Sequence, residues 1–403
     1  MKLEDVKLED IVIVGAARLP IGKFGGSLRD LPVYDLGALA IAEAVKRSGL
    51  GADAVDEVFV AHNRQSGNGP NPGRTAAVKG GLPHSVPAHT INMACPAGLR
   101  ATVEAAQAIM LGDCETAVVC GMESMSTIPH ILTGARWKPF RAGDVVIRDE
   151  FFGMVEPLSG MNTMELAEHT AAKYNITREE QEQLALESHH KAARAWDKGW
   201  FDDEVVGVQL EGERGKDSRM FDRDECFRAD TTAEKMARLK PASEGGTVTA
   251  ATASGVTDGA GAFVLTTRAR AEKAGATPLS SLVAYAQVGV APADMLEGPA
   301  FVVPMVLEKA GLALDDIDLI EVNEAFASQV MANERELDWD RSRLNVHGGA
   351  IALGHPTGFT GVRLMVSLSY ALRTHGGRYG LAAICGGGGL GVAVVIRSEG
   401  GNQ

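Results

Sequence analysis

An α/β fold in which one unit is used twice is predicted by three pairs of matching segments. Gly49 to Val60, GLGADAVDEVFV, returns as GLALDDIDLIEV at Gly311 to Val322. Cys95-Pro96-Ala97-Gly98 has a counterpart in His355-Pro356-Thr357-Gly358, and AVVCG at Ala117 to Gly121 returns as AAICG at Ala382 to Gly386. Each pair is separated by about 260 positions, which is the signature of an internal repeat. Two copies, roughly 10–122 and 280–398, would each form a sheet with helices packed on it. The expected domains are 1–122 with 247–279, a loop and helix insert over 123–246, and 280–403.

Each element has a local reason. In the first pair a helix ends at a glycine and an acidic turn follows. Val55, Val58 and Val60 then match Ile317, Ile320 and Val322 as apolar positions entering a strand. In the second pair a proline suits the first helical turn, so both segments open helices. Tyr379 to Ile396 is uncharged and near membrane-spanning length, but it holds six glycines, four of them consecutive. Each would cost a helix about 1 kcal/mol relative to alanine, so two strands around a glycine turn are expected instead. In the insert, TREEQEQLALESHHKAARAW has Thr177 as a cap before an acidic first turn, with apolar residues at helical spacing. Helices over 163–198 and a cap above the joined copies are predicted, ending near Gly245-Gly246.

Composition narrows the function. With 45% hydrophobic and 23% charged residues the chain is of the soluble globular kind. A net charge of −13 opposes a non-specific nucleic-acid grip. The start, MKLEDVKLED, lacks the apolar stretch of an export signal. Five cysteines without a CxxC pair point away from a disulfide framework and towards the cytoplasm, and the histidines show no metal-ligand spacing. No nucleic-acid or membrane partner and no metal is expected.

The chemistry concentrates in the repeated turns, which the duplication would bring face to face. Cys95, directly before a helix N-terminus, is placed where unpaired N–H groups lower a thiol pKa and favour thiolate. Alone, it reads equally as a small buried core residue. His355, in NVHGGAIALGHPTGFTG, could take the thiol proton. Cys385 opens CGGGGLG, a glycine loop whose N–H groups can form an oxyanion hole, and its thiol could move a proton at the carbon beside a carbonyl. Asn323, in EVNEAFASQ, either aims a water at a carbonyl oxygen or caps a helix. Ser254-Gly255 and Asp258-Gly259, in TASGVTDGAGA, read as a turn.

The blocks CPAGLRA, NEAFA, GGAIALGHPTGFTG and CGGGGLGVA, in this order and at these separations, resemble the signature blocks of the thiolase family across essentially the whole chain. The resemblance implies two mixed five-stranded sheets in an α/β/α/β/α arrangement. It implies CoA-dependent cleavage of a 3-oxoacyl-CoA, with synthesis of acetoacetyl-CoA as the alternative. Cys95 would be acylated, His355 would activate it, and Cys385 would be the acid and base at the α-carbon. Asn323, through a water, and His355 would stabilise the enolate. The N–H groups of Cys95 and Gly387 would receive the tetrahedral oxyanion. Coenzyme A would be a co-substrate, with no permanently bound cofactor. A homodimer or homotetramer is expected, with an accessory subunit open.

The sequence departs from the family pattern at Thr252, at Pro96-Ala97-Gly98, and at Ser159-Gly160-Met161 in place of a His-Met-Gly. A longer, branched or aromatic acyl group is therefore expected, with Ala253, Ser254, Met161, Phe326 and Phe359 as its pocket and CoA contacts. A ketoacyl synthase would share the fold and the nucleophile but would not need Cys385.

Overall fold

The computed structural model describes residues 6–400, apart from 138, 139, 141, 153 and 213–216. In chain order the main elements are β1 Ile11–Arg18, α1 Val33–Ser48, β2 Glu57–Ala61, α2 Pro72–Lys79, β3 Ala88–Ile91, α3 Ala97–Leu111 and β4 Thr116–Ser124. The insert supplies α4 Thr163–Lys173 and α5 Arg178–Asp197, and β5 Thr257–Thr267 returns to the first sheet. The second copy contains β6 Ser280–Gly289, α6 Gly298–Ala310, β7 Leu319–Val322, α7 Ala327–Leu337, α8 Thr357–His375, β8 Tyr379–Gly386 and β9 Leu390–Ser398.

The two copies have one topology. In the first, the strand order is β1-β5-β4-β2-β3, antiparallel between β1, β5 and β4 and parallel beyond. In the second, β6-β9-β8-β7 repeats the pattern, and a parallel bridge between Ile320 and Leu344 stands where β3 stands in the first. The sheets meet edge to edge, Val12 opposite Ser281 and Ile13 opposite Ser280. The long repeat forms as expected: Gly49 and Gly311 end their helices at φ 71° and 66°, and each is followed by a single 3-10 turn and then a strand. The glycine-rich stretch near the end of the chain is the β8–β9 hairpin.

Helices α3 and α8 fill the middle layer, where Leu99, Val362 and Leu364 are buried with residues of both sheets. Helix α1 packs Leu36 and Ile41 against Val12 and Val118 on one outer face, and α6 and α7 pack Val302 and Val330 against Leu381 and Val395 on the other. Each such side chain contributes about 1.5–3 kcal/mol by leaving water. The middle helices cross with almost no spacing. A Cβ on Gly361 would lie 2.4 Å from the Leu99 nitrogen, and one on Gly98 would lie 2.5 Å from the Val362 nitrogen.

In the insert, Thr177 accepts the Glu180 N–H and caps α5 as predicted, and Asn162 caps α4. Glu168 on α4 accepts the N–H groups of Thr247 and Val248, both at 2.8 Å for its Oε1, fixing where the chain leaves the insert. Leu166 and Ala167 of α4 are buried together with Cys385 and Phe326, so the insert covers the Cys385 side of the joined copies. The turn expected at Asp258-Gly259 is instead part of the fully buried strand β5. Its glycines are room for a neighbour: a Cβ on Gly261 would lie 2.5 Å from the Phe359 ring. Among the described residues, no helix is long and apolar enough to cross a membrane.

Candidate active site

Cys95 lies between β3 and α3 on a tight turn. Asn92 Oδ1 accepts the Ala94 N–H at 3.0 Å, and the Ala94 carbonyl accepts the Ala97 N–H at 3.1 Å. This holds Ala94 at φ 53°, a left-handed conformation that costs an alanine on the order of 1 kcal/mol. The turn delivers the half-buried Cys95 to the N-terminal end of α3, where its own N–H and that of Gly387 favour the thiolate form. The expectation of a ready thiolate is corrected. Burial dominates and pushes the Cys95 thiol up to about 11, outweighing the Arg64 charge and the two N–H groups that favour the anion.

His355 precedes α8 in the corresponding turn and is buried. Its N–H donates to the Gly255 carbonyl at 3.0 Å. Thr360 Oγ1 donates to the Pro356 carbonyl at 3.0 Å, so it can only accept from the ring nitrogen Nδ1 of His355, 2.7 Å away. The proton is thereby assigned to Nδ1, and the unprotonated Nε2 accepts from Asn323 Nδ2 at 3.5 Å. Burial, aided by Arg363, lowers the imidazole to about 4. A neutral ring with an unprotonated Nε2 is the form a general base requires.

Asn323 does not cap α7, which begins at Ala327. Its N–H extends the β7–β8 ladder to Ala383 at 3.0 Å, and its buried Oδ1 has no partner among the described residues. Cys385 is buried at the end of β8, where burial first and the neighbouring Cys95 second hold its thiol well above its ordinary value. The loop after it presses on the Cys95 turn: a Cβ on Gly386 would lie 2.1 Å from Pro96 Cδ, and one on Gly387 3.7 Å from Ala94 Cβ. The Cys95, His355 and Cys385 turns, remote in sequence, thus converge through the α3–α8 crossing and this loop.

Ala253 pairs with Phe326, and Ser254 donates its N–H to Ala325 at 3.0 Å. Ala253, Phe326 and the half-buried Met161 share an apolar cluster with Cys385. Phe359 is different. It is fully buried against Gly259 and Gly261 of β5, so its assignment to the pocket wall is withdrawn; it is core packing of the middle layer. A cavity of about 850 Å³ opens outward from Ala253, Gly255 and Ile351 and is walled by Lys23, Arg228 and Lys235 as well as Phe24, Phe152, Met236 and Leu239.

Two residues absent from the sequence-based expectation stand beside the nucleophile. Glu123, ending β4 with no exposure, accepts from Thr357 Oγ1 at 2.7 Å, Gly358 N at 2.8 Å, and Asn63 N and Arg64 N at 3.1 Å each. His62 Nδ1 lies 2.8 Å from it. Burial alone would raise this carboxyl, but these partners hold it below its ordinary value. It caps α8 from across the interface, since Pro356 offers no side-chain cap. A charged residue closing the apolar run AVVCGM was the available signal. Arg64, in the loop after β2, left none.

A half-buried thiol, a neutral imidazole and an enclosed second thiol, on a duplicated α/β scaffold with a cavity of mixed charge nearby, fit a cysteine-dependent acyl-transfer enzyme. Sequence profiles of the thiolase N-terminal domain and the thiolase C-terminal domain match residues 11–269 and 276–398. An acetyl-CoA acetyltransferase of Cupriavidus necator is 44% identical over 395 residues, covering 97% of this chain and 100% of the relative. The crystal structure of the Bacillus anthracis acetyl-CoA acetyltransferase superposes with a TM-score of 0.93 at 42% identity, covering 97% of this chain and 99% of that one. Human mitochondrial 3-ketoacyl-CoA thiolase in complex with CoA superposes with a TM-score of 0.92 at 36% identity, covering 96% and 98%. The chain belongs to the thiolase family and is an acyltransferase.

Proposed function

We propose that the protein cleaves 3-oxoacyl-CoA with free CoA through an acyl-Cys95 intermediate. The observation that carries this reading is the presence of two thiols with different surroundings at one site. Cys95 is half-buried with N–H groups that favour its thiolate, and Cys385 is fully enclosed beside it. A hydrolase or a simple acyl carrier needs only the first.

His355 Nε2 takes the proton of Cys95 as its sulfur attacks the 3-keto carbon. The N–H groups of Cys95 and Gly387 receive the oxyanion. The bond between C2 and C3 then breaks, and its electron pair passes to C2 as an enolate whose oxygen is met by His355 and by Asn323 through a water. Cys385 gives its proton to C2, releasing acetyl-CoA. A second CoA, seated in the 850 Å³ cavity, gives its thiol proton to the Cys385 thiolate, its sulfur takes the acyl group, and His355 returns the proton it holds to the departing Cys95 sulfur. Of the charged wall residues, Lys23 and Arg228 suit the phosphates of CoA, while Lys235 pairs with Asp230; the apolar wall suits its pantetheine arm. The same steps run backwards condense two acetyl-CoA molecules, a direction that fits the acetyltransferase names of the relatives.

CoA-dependent cleavage of short, long, branched and aryl 3-oxoacyl-CoA substrates tests the reading. Cys95→Ala should lower turnover by at least about 10³-fold, as for other covalent nucleophiles. Unchanged turnover in that variant, or none in the wild type with any substrate, would reject it. Rates of acetoacetyl-CoA formation from acetyl-CoA, measured alongside, decide the direction.

A further inference from the structure

Arg64 is a cation beside the Cys95 turn that forms no ion pair among the described residues. Its side chain meets Met154 Sδ at 3.0 Å, a weak acceptor, and stands 5.5 Å over the Phe151 ring, while its Nε is buried with no hydrogen-bond partner among the described residues. Among the described residues its guanidinium pairs with no carboxylate; Glu123 bonds only the Arg64 backbone N–H and is already engaged by His62, Asn63, Thr357 and Gly358, and Glu150 is held by Ser66. A half-buried guanidinium left in this state carries a desolvation cost that a bound anion would offset. Asn92 ties the two places together, its Nδ2 donating to the Asn63 carbonyl at 3.0 Å and its Oδ1 accepting the Ala94 N–H at 3.0 Å, so an anion held by Arg64 would lie near an acyl group on Cys95.

Two parts of a substrate could supply the anion: the phosphates of CoA or a carboxylate on the acyl chain. The cavity suited to CoA has its own cations in Lys23 and Arg228, beside Glu225 and the Lys235–Asp230 pair, and Arg64 is not part of its wall. Arg64 instead sits on the Cys95 side, against Phe151 and Met154 of the insert. We propose that Arg64 recognises a terminal carboxylate on the acyl chain, so that the preferred substrates are 3-oxo-dicarboxylic acids carried as mono-CoA thioesters.

This rests on the thiolase reading above and names its substrate class. The carboxylate is a spectator. Cys95 bonds C3, the C2–C3 pair goes to C2 and is protonated by Cys385, and the ω-carboxyacyl group left on Cys95 is transferred to CoA. The reaction that supplies the substrate either oxidises a 3-hydroxy-dicarboxylyl-CoA or loads CoA onto a 3-oxo-dicarboxylic acid, and the products are acetyl-CoA and a dicarboxylic mono-CoA thioester shorter by two carbons.

The test compares kcat/KM for 3-oxoadipyl-CoA with that for 3-oxohexanoyl-CoA, equal in chain length but lacking the carboxylate. The wild type should favour the former at least tenfold. Arg64→Met should bring the ratio close to one, and Arg64→Lys, which keeps the charge but not the planar fork, should keep part of it. Equal kcat/KM in the wild type overturns the proposal and leaves the thiolase reading intact, a result independent of how any variant folds. A loss in Arg64→Met that is equal for both substrates also overturns it, assigning Arg64 to the Cys95 thiol. Cleavage of neither by the wild type, nor of acetoacetyl-CoA, removes both readings.

Discussion

The two copies of the repeat share one frame and put opposite chemistry on it. In the first, the connection from β3 to α3 is short, strained at Ala94, and leaves Cys95 half-buried where a substrate can reach it. In the second, the connection from Leu344 to α8 is longer and contains the extra helical turn Ala350–Leu353 and Gly354 at φ 107°, and it buries His355. Each copy also has one buried carboxylate hub. Glu123 ties the first copy to the start of α8 across the interface, whereas Glu324 bonds Ser188 Oγ, Asn345 Nδ2 and the Ile351 N–H, around the second copy's own turn and the insert. The contrast shows how one duplicated frame makes a reactive pair: exposure suits the nucleophile, and dryness keeps the base neutral.

The largest expected effect comes from separating the copies. Gly361→Ala gains helix propensity worth about 1 kcal/mol, but its Cβ would meet the Leu99 nitrogen at 2.4 Å. Overpacking of this kind costs about 1–3 kcal/mol or more, and backbone here cannot yield as a side chain would. A lowered midpoint in urea together with a lowered kcat is expected; an unchanged kcat would mean that the α3–α8 crossing does not set the Cys95–His355 geometry.

Comparing the hubs gives a smaller effect. Glu123→Gln keeps the shape but removes the charge-assisted bonds to α8, and should lower kcat by about tenfold with KM little changed, in line with the loss of about 1.5–3 kcal/mol of charged hydrogen bonding. Glu324→Gln should cost comparable stability but less kcat. Equal kcat losses measured side by side would erase the proposed difference between the copies.

The smallest effect lies in pH dependence. With Cys95 held at about 11 and His355 at about 4, iodoacetamide modification of Cys95 should accelerate about tenfold per pH unit from pH 7 to 9 without a plateau. A plateau near neutrality would restore the preformed thiolate. His355 adds a stability term of definite sign. The unfolded chain, with a histidine near 6.5, binds more protons than the folded one between pH 6.5 and 4, so this contribution is complete above 6.5 and fades as pH falls towards 4. Thermal unfolding at pH 7 and pH 5 should show the lower midpoint at pH 5.

The duplication, the glycine-capped helix ends, the cap at Thr177 and the β8–β9 hairpin were all legible because each is a local rule written in adjacent residues. The four residues Cys95, Asn323, His355 and Cys385 were legible as motifs for the same reason. Their states were not. A helix terminus favours thiolate at Cys95, yet burial, a property of the packed layers, reverses the sign. Phe359 reads as a pocket aromatic until β5 is seen to pass beneath it with glycines, which also explains why Asp258-Gly259 is strand rather than turn.

The sequence alone determined the repeated unit, the thiolase signature and the identity of the reacting groups, since these depend on residue type and short spacing. Only the tertiary structure decided which histidine nitrogen is unprotonated, that Glu123 caps a helix more than 230 residues away, and that the Arg64 Nε is buried with no hydrogen-bond partner among the described residues. Desolvation and long-range hydrogen bonding act between segments that no local pattern connects, and they have no magnitude until the chain has folded.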